Sequence, residues 1–161
     1  MVEVPHRFDV VVTTNGGFPL DQNLYQSVKG MSAAAAVVEH DGLILVASEC
    51  RDGFPDFGEF RALLTKAVPP EARFASLADR RTVPDQWQVQ VQARVQAHAR
   101  VAVHCDGLSD AELELAHLAT APDITAAVAA EFARIGLGAT CCVLPEGPQT
   151  IPYLRESEAD P

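Results

Sequence analysis

Apolar positions along the chain gather into four short runs separated by longer amphipathic stretches. The runs are Phe8–Thr13, Leu43–Ala47, Arg100–His104 and Thr140–Leu144, each rich in β-branched or apolar residues. Near-continuous apolarity is what a strand covered on both faces needs, and long helical stretches between such strands describe a parallel α/β chain. The predicted fold is therefore α/β: an open, mainly parallel, four-stranded Rossmann-like sheet with helices on both faces, forming one domain over residues 1–154. Each run leads into a glycine beside a polar residue, at Asn15-Gly16, Asp52-Gly53, Asp106-Gly107 and Glu146-Gly147. In a parallel sheet all four turns fall at the carboxyl edge, where open α/β sheets bind ligands.

The first helix is expected to begin near Asp21, an N-cap after Pro19. Leu24, Val28, Met31, Ala35 and Val38 recur at helical spacing and form the stripe facing the sheet. Gln22, Gln26 and Lys29 fall about half a turn away, with Tyr25 on the flank. Taken alone, such a cluster is a solvated helix face. Gly30 in mid-helix gives up about 1 kcal/mol relative to Ala, which marks either close packing or a local distortion. Helices follow at Phe57–Ala67, ended by Pro69-Pro70, and at Glu71–Asp79. Asp85–His98 alternates through Gln88–Gln92 as a strand does, yet Trp87, Val91, Val95 and His98 form a helical stripe. Its length and the need for a crossover decide for a helix, capped by Thr82 or Asp85. Helices at Ser109–Ala119 and Asp123–Ile135 complete the series, the latter stopped by Gly136 and Gly138. The acidic tail over residues 155–161 is expected to be disordered.

Composition narrows the function. The chain has 161 residues, 48% apolar and 21% charged, with a formal net charge of −10. That charge opposes a broad electrostatic grip on nucleic acid. No apolar stretch reaches membrane-span length and the N-terminus has no signal-type run, so the expected compartment is the cytoplasm. Cys50, Cys105, Cys141 and Cys142 show no CxxC or zinc-type spacing and read as buried thiols. A nucleophile elbow is missing, because Ser48 lacks flanking glycines. Gly136-Leu137-Gly138 ends a helix, so it is not a dinucleotide fingerprint. His104-Cys105 at a strand end is the one faint metal suggestion, and a capped strand end explains it as well. Glu49 and Asp52 flank Arg51 as a local charge network.

What remains is an anion site. Asn15, Gly16 and Gly17 form a loop whose glycines permit the left-handed conformations of an amide nest. Gln26 supplies a directional donor and Lys29 a point charge, and a carboxylate held by such donors gains about 1.5–3 kcal/mol per bond. These groups position a substrate; they do not break a carbon–hydrogen bond.

At these residues the chain resembles the C-terminal domain of the nickel-pincer-nucleotide lactate racemase family. The matching stretches are DVVVTTNGGFPLDQNLYQSVKGMSAAAAVV, LILVASECRDGFPDFGEF, DQWQVQVQARV and LPEGPQTIPYL, which lie between about Asp9 and Leu154. The resemblance implies an isomerase of 2-hydroxy acids whose larger N-terminal domain carries the nickel-pincer nucleotide, its ligands and the catalytic histidines. It implies that Gln26 and Lys29 hold the substrate carboxylate, with Tyr25 and Trp87 as wall residues. None of the five histidines here matches that family's catalytic positions. No catalytic residue and no metal ligand is therefore expected in this chain, and it is expected to be a domain of a longer protein without racemase turnover of its own. The implied partners are a small 2-hydroxy acid and the N-terminal domain, with oligomerisation open. Two other readings stand beside this one: a free-standing module that binds small carboxylates without turnover, and a structural domain whose polar helix face packs on a partner. A domain of a larger enzyme also exposes apolar surface, expected around the strand-end turns.

Overall fold

Val10, Val11 and Val12 lie at the centre of a five-stranded sheet in which every neighbour is parallel. The computed structural model describes residues 1–55, 57–66, 68, 72 and 81–155. Strand β1 (Val2–Val4) is followed by β2 (Phe8–Thr14), helix α1 (Leu24–Ala35), β3 (Val38–Ala47) and the short helix α2 (Phe60–Leu64). Helix α3 (Gln86–His98), β4 (Arg100–His104), α4 (Asp110–Leu115), β5 (Ala119–Thr120), α5 (Ile124–Ile135) and β6 (Cys141–Leu144) come next. A 3-10 turn at Gly147–Gln149 leads to β7 (Pro152–Leu154). The sheet order is β5-β4-β3-β2-β6, and β1 pairs with β7 in a separate two-stranded ribbon. All four expected strands are present. The sheet has five strands instead of four because β5 joins its edge, and two residues carry no readable period.

Side chains alternate across the central strands. On one face Val11, Ile44, Val46, Val101 and Val103 pack against Leu24, Val28 and Met31 of α1 and Val89 and Val95 of α3. On the other, Val10, Leu43, Leu45 and Ala102 pack under Ile124, Val128 and Phe132 of α5. This division follows from handedness. Right-handed crossovers from β2 to β3 to β4 put α1 and α3 on one face, and the return to β6 puts α5 on the other.

Three local expectations change. Asn23, not Asp21, caps α1, because its Oδ1 accepts the Gln26 N–H at 3.2 Å. Asp21 instead accepts the Glu49 N–H through Oδ2, also at 3.2 Å. Val38 leaves the helical stripe and opens β3, and Ala34 takes its place in the core. On α3 the buried face carries Gln88, Gln92 and Val95, while Trp87 is exposed. Each glutamine is half satisfied: Gln88 Nε2 donates to the Tyr25 carbonyl at 2.7 Å and Gln92 Nε2 to the Ala116 carbonyl at 3.0 Å, while both Oε1 atoms are buried without a hydrogen-bond partner among the described residues. Asp85 is the cap residue of α3, with a left-handed φ of 64° and its carboxylate on the Glu59 N–H. The helix expected over Glu71–Asp79 falls outside the described residues except for Ala72, and so does the tail beyond Arg155.

The strand order reverses between β2 and β6, the place where such sheets usually open a ligand crevice. Here that crevice is filled. A Cβ on Gly147 would lie 2.4 Å from Thr13 Oγ1 and 2.9 Å from the Gly30 Cα, so the turn after β6 sits directly on α1. Gly30 thus marks close packing. Its own Cβ would meet Asn15 Oδ1 at 2.5 Å, and Asn15 is pinned by two hydrogen bonds. Gly30→Ala gains helix propensity of up to about 1 kcal/mol, yet the clash outweighs it. A net loss of about 1–2 kcal/mol is expected in urea unfolding; a gain in stability would refute the close-packing account.

Candidate functional site

Helix α1 sets the geometry. The Asn23 cap fixes its first turn, where Tyr25 and Gln26 sit, and Lys29 follows one turn on. Lys29 Nζ donates to Gln26 Oε1 at 2.6 Å. That bond occupies the amide's acceptor, so the pair presents donors only: Nε2 of Gln26 and the remaining N–H bonds of the ammonium. Lys29 is exposed, and the ion pairs among the described residues all involve other cations. In a chain of net charge −10, this ammonium has no ion pair among the described residues and its hydrogen-bond partner is the Gln26 amide.

Tyr25 flanks this pair. Its ring stands edge-on to Phe60 at 5.3 Å and to Trp87 at 6.0 Å between centroids. Burial raises the phenol pKa, the Asp85 carboxylate pushes it the same way, and a hydrogen bond with Trp87 opposes both. Tyr25 therefore keeps its proton at neutral pH and offers a hydroxyl donor. The Gln88 bond to the Tyr25 carbonyl docks α3 here and brings Trp87, 53% exposed, alongside. Tyr25, Gln26, Lys29 and Trp87 thus form one surface built from α1 and the start of α3.

The glycine loop lies next to it. Asn15 is fully buried, and its Nδ2 donates to the carbonyls of Leu20 at 2.6 Å and Gln26 at 2.7 Å. The side chain thereby braces the loop against α1. Gly16 and Gly17 take positive φ of 77° and 84°, and the Gly16 N–H is held by Thr14 Oγ1 at 3.0 Å. Gly17 lines a cleft of about 280 Å³ at the carboxyl ends of β2, β3 and β4, together with Asp21, Ser48, His104 and Cys105. Lys29 bonds to Gln26, not to this loop; Asn15 links the two regions through the Gln26 carbonyl. Phe18, Leu20, Phe57 and Trp87 are exposed, but so are Leu115, Leu137, Val143 and Ile151, so exposed apolar side chains are not confined to the strand-end turns.

A sequence profile of the lactate racemase C-terminal domain matches residues 4–151. The chain belongs to that family. A lactate racemase of Thermoanaerobacterium thermosaccharolyticum is 46% identical over 88 residues, covering 53% of this chain and 21% of that protein. A lactate racemase of Lactiplantibacillus plantarum is 36% identical over 141 residues, covering 86% of this chain and 33% of that protein. The structure of the lactate racemase apoprotein from T. thermosaccharolyticum aligns with a TM-score of 0.82 at 31% identity, over 94% of this chain and 36% of that one. The chain spans about a third of the length of these relatives.

Sequence reasoning missed two supports of this lactate racemase-type domain. Gln88, Gln92 and Gln96 recur every fourth residue, a helical period that foretells one polar seam, but polarity argues against burying it. Glu131 sits in an apolar stretch of α5, yet it is buried and bonded to both Arg100 and Arg134. These arginines line a larger cleft of about 540 Å³ at the amino edge, with Asp9, Glu39 and Asp41. Size does not make it the better candidate. Glu131 already satisfies both arginines, and Asp9 accepts from Thr140 N and Oγ1 at 2.8 Å each. The described residues contain no cluster of three or more His, Cys, Asp or Glu that fits a metal ion.

Proposed function

We propose that this chain is the substrate-holding part of an isomerase of 2-hydroxy acids, with Lys29 and Gln26 gripping the carboxylate. The observation that carries this reading is the Lys29–Gln26 bond of 2.6 Å, which locks an ammonium and an amide N–H₂ side by side with no acid of their own. A carboxylate has two oxygens, and the pair offers a charged donor to one and a neutral donor to the other. Tyr25 supplies a hydroxyl donor for the 2-hydroxyl group, and Trp87 closes the apolar side. The described residues hold no group of three or more His, Cys, Asp or Glu placed to bind a metal ion, and the roles proposed for Tyr25, Gln26, Lys29 and Trp87 are binding and orientation. The family membership and the similarity to two lactate racemases support the substrate class.

Titration of the chain with lactate, followed by amide chemical shifts, tests the clamp. Affinity in the millimolar range is expected, since little surface is buried by so small a ligand. Lys29→Ala removes one charge-assisted bond and weakens binding about tenfold or more. Lys66→Ala, at an exposed lysine just past the end of α2, leaves the titration unchanged. Equal behaviour of the two variants would overturn the assignment.

A further inference from the structure

Two consecutive carbonyls in the first turn of α1 are each gripped by a buried side-chain amide from elsewhere in the chain. Gln88 Nε2, from α3, donates to the Tyr25 carbonyl at 2.7 Å, and Asn15 Nδ2, just after β2, donates to the Gln26 carbonyl at 2.7 Å. Asn15 is fully buried and Gln88 is 1% exposed. Helical geometry already gives these carbonyls the Lys29 and Gly30 N–H groups, so each accepts a second donor. The residues tied in this way are the ones whose side chains form the clamp. We propose that Asn15 and Gln88 are positioning residues of that clamp: they fix the backbone of Tyr25 and Gln26, so that the donors of Tyr25, Gln26 and Lys29 are in place before a carboxylate ligand arrives.

Stability alone does not account for these two amides. Asn15 Oδ1 and Gln88 Oε1 are buried and have no hydrogen-bond partner among the described residues. A buried acceptor left unpaired is destabilising, whereas an apolar side chain of similar shape, leucine for asparagine or methionine for glutamine, avoids that loss. The orientation of Asn15 is nevertheless fixed. Its nitrogen faces two carbonyl oxygens, of Leu20 at 2.6 Å and of Gln26 at 2.7 Å, and a flipped amide would set oxygen against oxygen. A Cβ on Gly30 would come within 2.5 Å of the orphaned Oδ1, so the bare α-carbon of Gly30 leaves room for it. What both amides achieve lies at their nitrogens, on the Tyr25 and Gln26 carbonyls.

Their effect on the clamp follows from where they attach. The Tyr25 carbonyl is the helical acceptor of the Lys29 N–H, so Gln88 holds the turn that brings Lys29 Nζ to Gln26 Oε1 at 2.6 Å. Gln88 also follows Trp87 in the chain, and its bond sets α3 against α1 where the Trp87 ring meets Tyr25 at 6.0 Å. Asn15 ties the same turn to the Gly16-Gly17 loop. A ligand that meets donors already in place requires less ordering on binding. The choice of a carboxylate as ligand rests on the function proposed above; the fixing of the two residues does not.

Gln92 supplies the control. It is fully buried on the same helix and likewise half satisfied, but its Nε2 donates to the Ala116 carbonyl and not to α1. Gln88→Met, Gln92→Met and Asn15→Leu are compared in the full chain by urea midpoint, by the three-bond couplings that report χ1 of Tyr25 and Gln26 without ligand, and by lactate titration. Gln88→Met is expected to keep a urea midpoint close to the parent's, to average the Tyr25 and Gln26 couplings over rotamers, and to weaken lactate binding about tenfold. Asn15→Leu averages the Gln26 couplings in the same way, and Gln92→Met leaves couplings and affinity as in the parent. Parent-like couplings in Gln88→Met, whatever its midpoint, would overturn the proposal. So would averaged couplings with unchanged lactate affinity, or equal changes in Gln88→Met and Gln92→Met, which mark a general loosening of α3. A parent chain without lactate shifts sinks the carboxylate reading, while the couplings of the free chain still decide the positioning role.

Discussion

Acidification strips about 2–3 kcal/mol from the folded state through one carboxylate, Glu131. This side chain is 5% exposed on α5. Its pKa falls from 4.5 to about 2, through the hydrogen bond from Arg134, then that from Arg100, and the charges of both, against the opposing effect of burial. A folded pKa below the unfolded one means stability that is complete above about 4.5 and is lost as pH drops toward 2. The full shift corresponds to roughly 3 kcal/mol; the arginine side chains are 48% and 59% exposed, so solvent screening trims the figure. Urea unfolding of the parent chain and of Glu131→Gln isolates the group. At neutral pH the variant is expected to be less stable by about 2–3 kcal/mol, and near pH 2 the two converge. A stability gap that is the same at both pH values would show that the ion cluster contributes nothing.

Gly107→Ala is expected to be the most disruptive single methyl in the chain, with a loss of about 3 kcal/mol or more. A Cβ at Gly107 would lie 1.7 Å from the Cys50 carbonyl oxygen, 2.3 Å from its carbon and 2.9 Å from the Arg51 Cα. All three are backbone atoms, so no rotamer change relieves the overlap. The Gly107 N–H also donates to the Glu49 carbonyl at 3.0 Å, which holds the turn after β4 against the turn after β3. Gly53 makes a useful contrast on the opposing turn. It has φ of 59°, and its added Cβ would sit 3.3 Å from the Gly107 carbonyl, so Gly53→Ala meets left-handed strain and a milder contact. A smaller loss of about 1–2 kcal/mol is expected there. Comparable urea midpoints for Gly107→Ala and the parent chain would refute the backbone-on-backbone contact.

Both substitutions mark features that a linear reading reaches unevenly. Asp106-Gly107 was visible as a turn at the carboxyl edge, because glycine beside a polar residue after an apolar run is a local signal. That its missing side chain makes room for Cys50 was not visible, since the two residues meet only when β4 pairs with β3. Glu131 is harder still. In sequence it reads as the polar side of an apolar helix, and its burial depends on Arg100 coming from another strand.

The pattern of apolar runs by itself determined the α/β class, the parallel sheet with helices on both faces, the strand-end turns and a helix presenting Tyr25, Gln26 and Lys29. These follow from local periodicity, and each strand or helix carries its period in its own residues. Only the tertiary structure decided that Gly147 fills the crevice at the strand-order reversal, that Asn15 is buried as a brace, and that the open cleft lies one strand over, lined by Ser48, His104 and Cys105. Those outcomes depend on distances of a few tenths of an ångström between segments far apart in the chain, and hydrophobic patterning holds no information at that scale.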